Sequence, residues 1–133
     1  MDLGTKTLGL AISDALGMIA NPLKTIRYDT YDDLLEELKS IIAEYDVKAI
    51  ALGLPKNMDN SLGFASKRSL DFKEFLESHI DLEITLVDER LSTVEAEKYL
   101  LNADMSRKKR KEHIDAVAAS VILNTYIRMK GNE

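Results

Sequence analysis

One stretch restricts the fold of this chain more than any other: Val47-Lys48-Ala49-Ile50-Ala51-Leu52-Gly53-Leu54, a near-continuous apolar run of strand length. A strand with one wet face alternates polar and apolar residues, whereas a run like this one belongs to a strand covered on both faces. Helical patterns flank it. Residues 31–45 place Leu34, Leu35, Leu38, Ile41, Ile42 and Tyr45 along one helix face. Leu62 to His79 repeats the helical spacing through Ala65, Ser69, Phe72, Phe75 and Leu76, and Leu82 to Val87 reads as another strand. Strands separated by helices in this way must pair in parallel.

The N-terminal third reads differently. Leu8 to Ser13 is a short apolar run after a Gly-Thr-Lys turn, and a second run spans about Gly17 to Tyr28. Asn21-Pro22 interrupts it. Proline cannot donate to a ladder, so this strand is expected at an edge or bulged at that point. Ser92 starts a third helix, with Glu95 completing a capping box, and a last helix runs from about Glu112 to Met129. The predicted order is β-β-β-α-β-α-β-α-α. It describes an α/β fold with a mixed sheet and helices on both faces, forming one domain over residues 1–133. The first strand is expected to be shortened at its N-terminal end, since little precedes the Gly4-Thr5 turn.

Composition narrows the function classes. No apolar stretch approaches the roughly 20 residues that cross a bilayer, and no charged segment followed by an apolar run marks a secretory leader. Cysteine is absent, which removes disulfides, thiolate catalysis and cysteine-based zinc sites. These features predict a cytoplasmic protein. The formal net charge of −5 argues against a passive nucleic-acid binder, which carries a basic excess. The distribution says more: Arg107-Lys108-Lys109-Arg110-Lys111 is an unbroken basic run, while several acids fall where strands should end.

Four segments could carry chemistry. Asp2-Leu3-Gly4-Thr5-Lys6-Thr7-Leu8-Gly9 puts a carboxylate beside a tight hairpin whose glycines let backbone approach a metal or phosphate; the plainer reading is a hairpin whose Asp2 is merely solvated. Gly53 to Ser61 leaves a buried strand at its carboxyl end, where α/β sheets collect ligands, yet Pro55, Asn57, Asp59 and Ser61 are also ordinary turn and cap residues. Asp88-Glu89-Arg90 follows another strand, and either acid could simply pair with Arg90 or sit near a helix start. Asp115 borders the buried side of the last helix, near Ala118, Ala119 and Ile122. A carboxylate there is costly unless paired or metal-bound. Neither His79 nor His113 needs a catalytic role. Asp2, Glu89 and Asp115 are too dispersed for a calcium-binding loop and suit a divalent site assembled by folding, with hard oxygens for Mg²⁺ or Mn²⁺.

In these stretches the chain resembles the YqgF family, described as pre-16S rRNA nucleases or RuvC-like Holliday junction resolvases. The matching segments are DLGTKTLGLAISD, ANPLKTI, LGLPKNMDNSLG, VDERLST and HIDAVAASVIL, in the family's order over nearly the whole chain. The resemblance implies an RNase H-like fold with a central five-stranded mixed β-sheet flanked by α-helices. It assigns the catalytic, metal-binding acids to Asp2, Glu89 and Asp115, with Mg²⁺ or Mn²⁺ as cofactor. Lys6, Asn57 and Arg90 lie within matched motifs as substrate contacts. Arg107, Lys108 and Arg110, in the basic run, would hold phosphates, and the plainer reading of that run is a mobile, solvated loop. Two departures stand out. The family has apolar residues and a glycine before its first aspartate, where this chain has Met1, and it has Asp-Gly-Ser where this chain has Asp59-Asn60-Ser61.

The activity implied is hydrolysis of a phosphodiester by water, in pre-16S rRNA on a pre-ribosomal particle or in branched DNA. Two other readings compete. The N-terminal hairpin also resembles the phosphate motif of actin-like ATPases and sugar kinases, which need two such domains. A non-catalytic RNA binder in ribosome assembly could use the same fold. No dimer surface is legible in the sequence.

Overall fold

The computed structural model describes residues 1–55, 63–88 and 107–131. Among them run β1 (Asp2–Leu3), β2 (Thr7–Ser13), β3 (Ala20–Arg27), α1 (Tyr31–Tyr45), β4 (Ala49–Leu54), α2 (Phe64–His79), β5 (Glu83–Asp88) and α3 (Arg107–Gly131), in that order. This is the α/β alternation predicted above. The helix expected from Ser92 lies outside the described residues.

The first three strands form an antiparallel sheet in the order β1-β2-β3. Gly4 N–H donates to the Thr7 carbonyl at 2.7 Å and closes the β1–β2 turn. Between β2 and β3 the register shifts where Leu10 opposes Lys24 and Ala11 opposes Pro22, so Leu23 is the extra residue. The bulge expected at the proline sits beside it, on an edge strand, where a missing N–H disturbs no second ladder. β4 and β5 pair in parallel over six residues, from Ala49 opposite Glu83 to Leu54 opposite Asp88.

The strands thus fall into a sheet of three and a sheet of two, where the family resemblance predicts one sheet of five. Met1 joins them. Its ammonium donates to the Ala51 carbonyl at 2.8 Å, and its carbonyl accepts from Gly53 N–H at 3.0 Å. This is the slanted arrangement of a parallel pair, with Met1 facing Leu52. Both bonds involve a single residue, and a ladder needs successive pairs.

α1 forms where the apolar period predicted it. Thr30 caps it by accepting from Asp33 N–H at 3.2 Å, and Asp32 and Asp33 place negative charge in the first turn. Asp46 ends it in the left-handed conformation (φ 52°). Its buried Leu34, Leu38 and Ile41 join Phe72 and Leu76 of α2 over Leu8, Leu10, Ile26, Ile50, Leu52 and Ile84, and this is the main core. α3 covers the opposite face, where its Ile122 packs with Ala51 of β4 and Val87 of β5. None of the described helices is long and apolar enough to cross a membrane.

α3 starts earlier than its apolar pattern suggested. The basic run 107–111 is therefore helical, where the plainer reading of the sequence placed a loop. Five cations oppose the helix dipole at that end. Lys and Arg are nevertheless good helix formers, and the tightly packed stretch from Ala116 to Ser120 anchors the helix they extend.

Candidate active site

Because β1 runs parallel to β4 at Met1 and antiparallel to β2, the carboxyl ends of β1, β3, β4 and β5 point the same way. Ligands in α/β proteins gather at such an edge. Alternation then decides which side chains reach which face. Leu3, Leu8 and Ile26 enter the α1/α2 core. Asp2, Thr7, Gly9, Thr25 and Arg27, one residue out of phase with these, belong to the α3 face.

Gly9 is the pivot of this face. In the ladder it opposes Asp2 on one side and Thr25 on the other. A methyl group at Gly9 would overlap the carbonyl of Asp115 and come within 2.9 Å of its Cβ. The missing side chain lets α3 lie directly on β2, and this brings Asp115 over the residue that Asp2 opposes. Two of the three acids predicted from sequence therefore share one small region.

Thr7 fixes the orientation of Asp115. Its hydroxyl donates to Asp115 Oδ2 at 2.9 Å across 108 residues of chain. Among the described residues it is the one side-chain donor to that carboxylate, so the second oxygen keeps its acceptor capacity. Gly4 gives this hydroxyl room, since a Cβ there would stand 2.8 Å from Thr7 Oγ1. The turn is braced from β3: Tyr28 O–H donates to the Gly4 carbonyl at 2.9 Å and Tyr28 N–H to the Lys6 carbonyl at 3.0 Å. Burial pushes the Tyr28 phenol above its ordinary value, so at neutral pH it remains a donor. From α2, Arg68 Nη1 donates to Thr5 Oγ1 at 2.8 Å.

Lys6 is exposed on the same turn and lines a small polar cavity with Arg27, Tyr28, Asp29 and Asp33. Glu89 immediately follows Asp88, the last residue of β5, but it lies outside the described residues, as do Asn57 and Arg90. Arg107, Lys108 and Arg110 occupy the beginning of α3. Sequence reasoning included Thr7 and Gly9 in its N-terminal segment without linking them to Asp115, and it missed Thr25 and Arg27 as members of this face. A period-2 reading of β2 and β3 could have grouped them on one face, but not shown what packs there.

A cleft of about 1230 Å³ opens at the other end of the strands, with apolar residues such as Leu10, Ile12, Ile50 and Leu123 in its lining. Charged residues such as Asp14, Glu44 and Lys48 also line it, but the acidic edge, where Thr7 orients Asp115, is the better chemical candidate. Among the described residues no three carboxylate or imidazole groups cluster as a complete metal site. Asp2 and Asp115 supply hard oxygen donors on one face, which suits Mg²⁺ or Mn²⁺.

The fold is α/β, with α3 resting its backbone on Gly9 of β2 and a Thr7-held Asp115 on the face it shares with Asp2. The chain belongs to the RuvX family, described as Holliday junction resolvase, whose model matches residues 1–129. This bears out the motif resemblance. Proteins described as "Putative pre-16S rRNA nuclease" are similar over nearly their whole length. That of Halothermothrix orenii is 49% identical over 127 residues, covering 96% of this chain and 91% of the relative. A Geobacillus relative is 48% identical over 132 residues, covering 98% and 96%. The Clostridium acetobutylicum relative is 45% identical over 127 residues, covering 96% and 94%.

Proposed function

We propose that this chain is a metal-dependent nuclease hydrolysing phosphodiester bonds in pre-16S ribosomal RNA, in the bacterial cytoplasm. The observation that carries the reading is Asp115, brought over Gly9 opposite Asp2 and oriented by the Thr7 hydroxyl. A carboxylate held to one rotamer by a short side chain on a strand is a positioned ligand, not a solvated surface charge. The names of the family and of its relatives supply the substrate class.

In this reading Asp2, Glu89 and Asp115 hold one or two Mg²⁺ or Mn²⁺ ions, which supply Lewis acidity toward the phosphate and a more acidic water. The chain's own residues set the geometry. Thr7 holds one oxygen of Asp115 by its hydroxyl, so the other would be left to the metal. Lys6, Asn57 and Arg90 contact the substrate near the break, and Arg107, Lys108 and Arg110 hold its backbone without reading sequence. The fold is RNase H-like, with the two sheets acting as one five-stranded sheet, β3-β2-β1-β4-β5, continuous through Met1.

The test is cleavage of pre-16S leader RNA, generic single-stranded RNA and a four-way DNA junction in Mg²⁺ or Mn²⁺. Asp115→Asn should lower the rate by about a thousandfold (~4 kcal/mol of transition-state stabilisation) while leaving RNA binding in place. Preferential cutting of the junction would move the substrate to branched DNA. RNA binding with no cutting by the unmodified chain would leave an assembly factor instead of an enzyme.

A further inference from the structure

From the site's geometry we infer that Arg27 and Arg68 extend substrate binding beyond the acids, as a phosphate track across the β1–β2 turn. Arg27 is the Cα partner of Thr7 in the ladder. Directly paired residues on antiparallel strands show the same face, with Cβ atoms about 5 Å apart. Arg27 thus stands beside the threonine that holds Asp115. It is exposed, and it makes no ion pair with Asp115 or with any other described residue. A guanidinium at the edge of an acidic site and still unpaired keeps its planar donor fork for phosphate.

The positive charge continues around the turn. Lys6, on the turn itself, lines one cavity with Arg27 and likewise makes no ion pair among the described residues. Arg68 comes next. Its Nη1 is tied to Thr5 Oγ1, which fixes the guanidinium on the turn without neutralising it. The Tyr28 phenol that braces the turn lies close enough to feel the Arg68 charge. Arg27, Lys6 and Arg68 therefore succeed one another from the acidic face of the sheet toward the α2 side. Asp29 and Asp33 share the cavity with Lys6 and Arg27, but neither forms an ion pair with these cations among the described residues. The ligand is a single nucleic-acid strand, held by its phosphates on one side of the cleavage point. This inference rests on the nuclease reading of the site.

Fluorescence anisotropy of a labelled single-stranded RNA, measured from low to physiological salt in EDTA, separates binding from cutting. Arg27→Ala and Arg68→Ala should each reduce the slope of log affinity against log salt by about 0.7, the single-strand value per phosphate contact, and the double variant by about 1.4. Arg27→Lys should keep the slope. Lys48→Ala, an exposed cation paired with Asp46 before β4, should leave both slope and affinity unchanged. Unchanged slopes in both arginine variants, or losses matched by Lys48→Ala, would overturn the track, and RNA cutting by the same proteins would then leave the nuclease reading standing. Reduced slopes with no cutting in Mg²⁺ would keep the track and sink the nuclease. An unmodified chain that binds no RNA would overturn the track.

Discussion

The two faces of the sheets solve different problems with opposite side-chain choices. Toward α1 and α2 the strands present Leu8, Leu10, Ile26, Ile50, Leu52 and Ile84, met by Leu34, Leu38, Phe72 and Leu76. Toward α3 the positions Thr7, Gly9, Thr25 and Ala51 are smaller, and α3 buries Ala116, Ala118, Ala119 and Ser120 beside its larger Val117 and Ile122. Bulk on the first face excludes water and supplies most of the apolar burial. Smallness on the second lets helix backbone settle on strand backbone, so that a carboxylate can be placed to within a hydrogen bond. Stability and chemistry are thus lodged on opposite sides of the same strands, and substitutions should separate them.

The largest effect on folding is expected from the bulky face. Phe72 is fully buried, with its ring 5.0 Å from that of Tyr31. Phe72→Ala should cost about 4 kcal/mol, from lost transfer energy and the cavity left behind. Chemical denaturation measures this, and cleavage per folded molecule should hardly change. A large loss of rate in protein still folded would show that the two faces are coupled.

Gly9→Ala adds one carbon where Phe72→Ala removes six, and it should act in the other direction. Overpacking costs typically 1–3 kcal/mol. Here the obstacle is helix backbone, which cannot rotate away, so about 3 kcal/mol is expected. The shift of α3 would also misplace Asp115, and an error near 1 Å lowers rate by about a hundredfold. Loss of cleavage in protein that stays folded would therefore set this variant apart from Phe72→Ala. Normal activity would mean that Asp115 does not depend on the close approach at Gly9.

How far each face could be read from sequence follows from the same contrast. The bulky face announces itself by period: Leu34, Leu38 and Ile41 mark α1, and the run ending at Leu54 marks β4. Pro22 revealed the edge strand because its missing N–H acts locally. The small-residue face gives no such signal. Gly9 looks like any strand glycine until Asp115 packs on it, and the Thr7 hydroxyl finds its acceptor only after 108 residues of chain have folded. The acids Asp2 and Asp115 were legible because a carboxylate at a strand end or on a buried helix face needs a reason to be there. Arg27 and Arg68 were not, because a cation among polar residues needs none. A loop was the plainer reading of the basic run for a related reason: like charges in series suggest repulsion, and the packing that outweighs it lies further along the helix.

The smallest effect should come from Thr25, and it probes the site face most finely. Thr25 opposes Gly9, yet its Oγ1 is buried without a hydrogen-bond partner among the described residues. A buried hydroxyl with no partner contributes desolvation cost and no compensating bond. Thr25→Val keeps the branched shape, so it should change stability by less than about 0.5 kcal/mol, or raise it by up to about 1 kcal/mol. Cleavage and metal dependence should stay as they are. Thermal denaturation with and without Mg²⁺ supplies the check. Destabilisation confined to the Mg²⁺ arm would mean that the hydroxyl finds its partner when the acids are loaded, making Thr25 part of the site. Equal curves in both arms would leave it as packing, and would place the boundary of the chemistry between Thr25 and Arg27, two neighbours on one face of one strand.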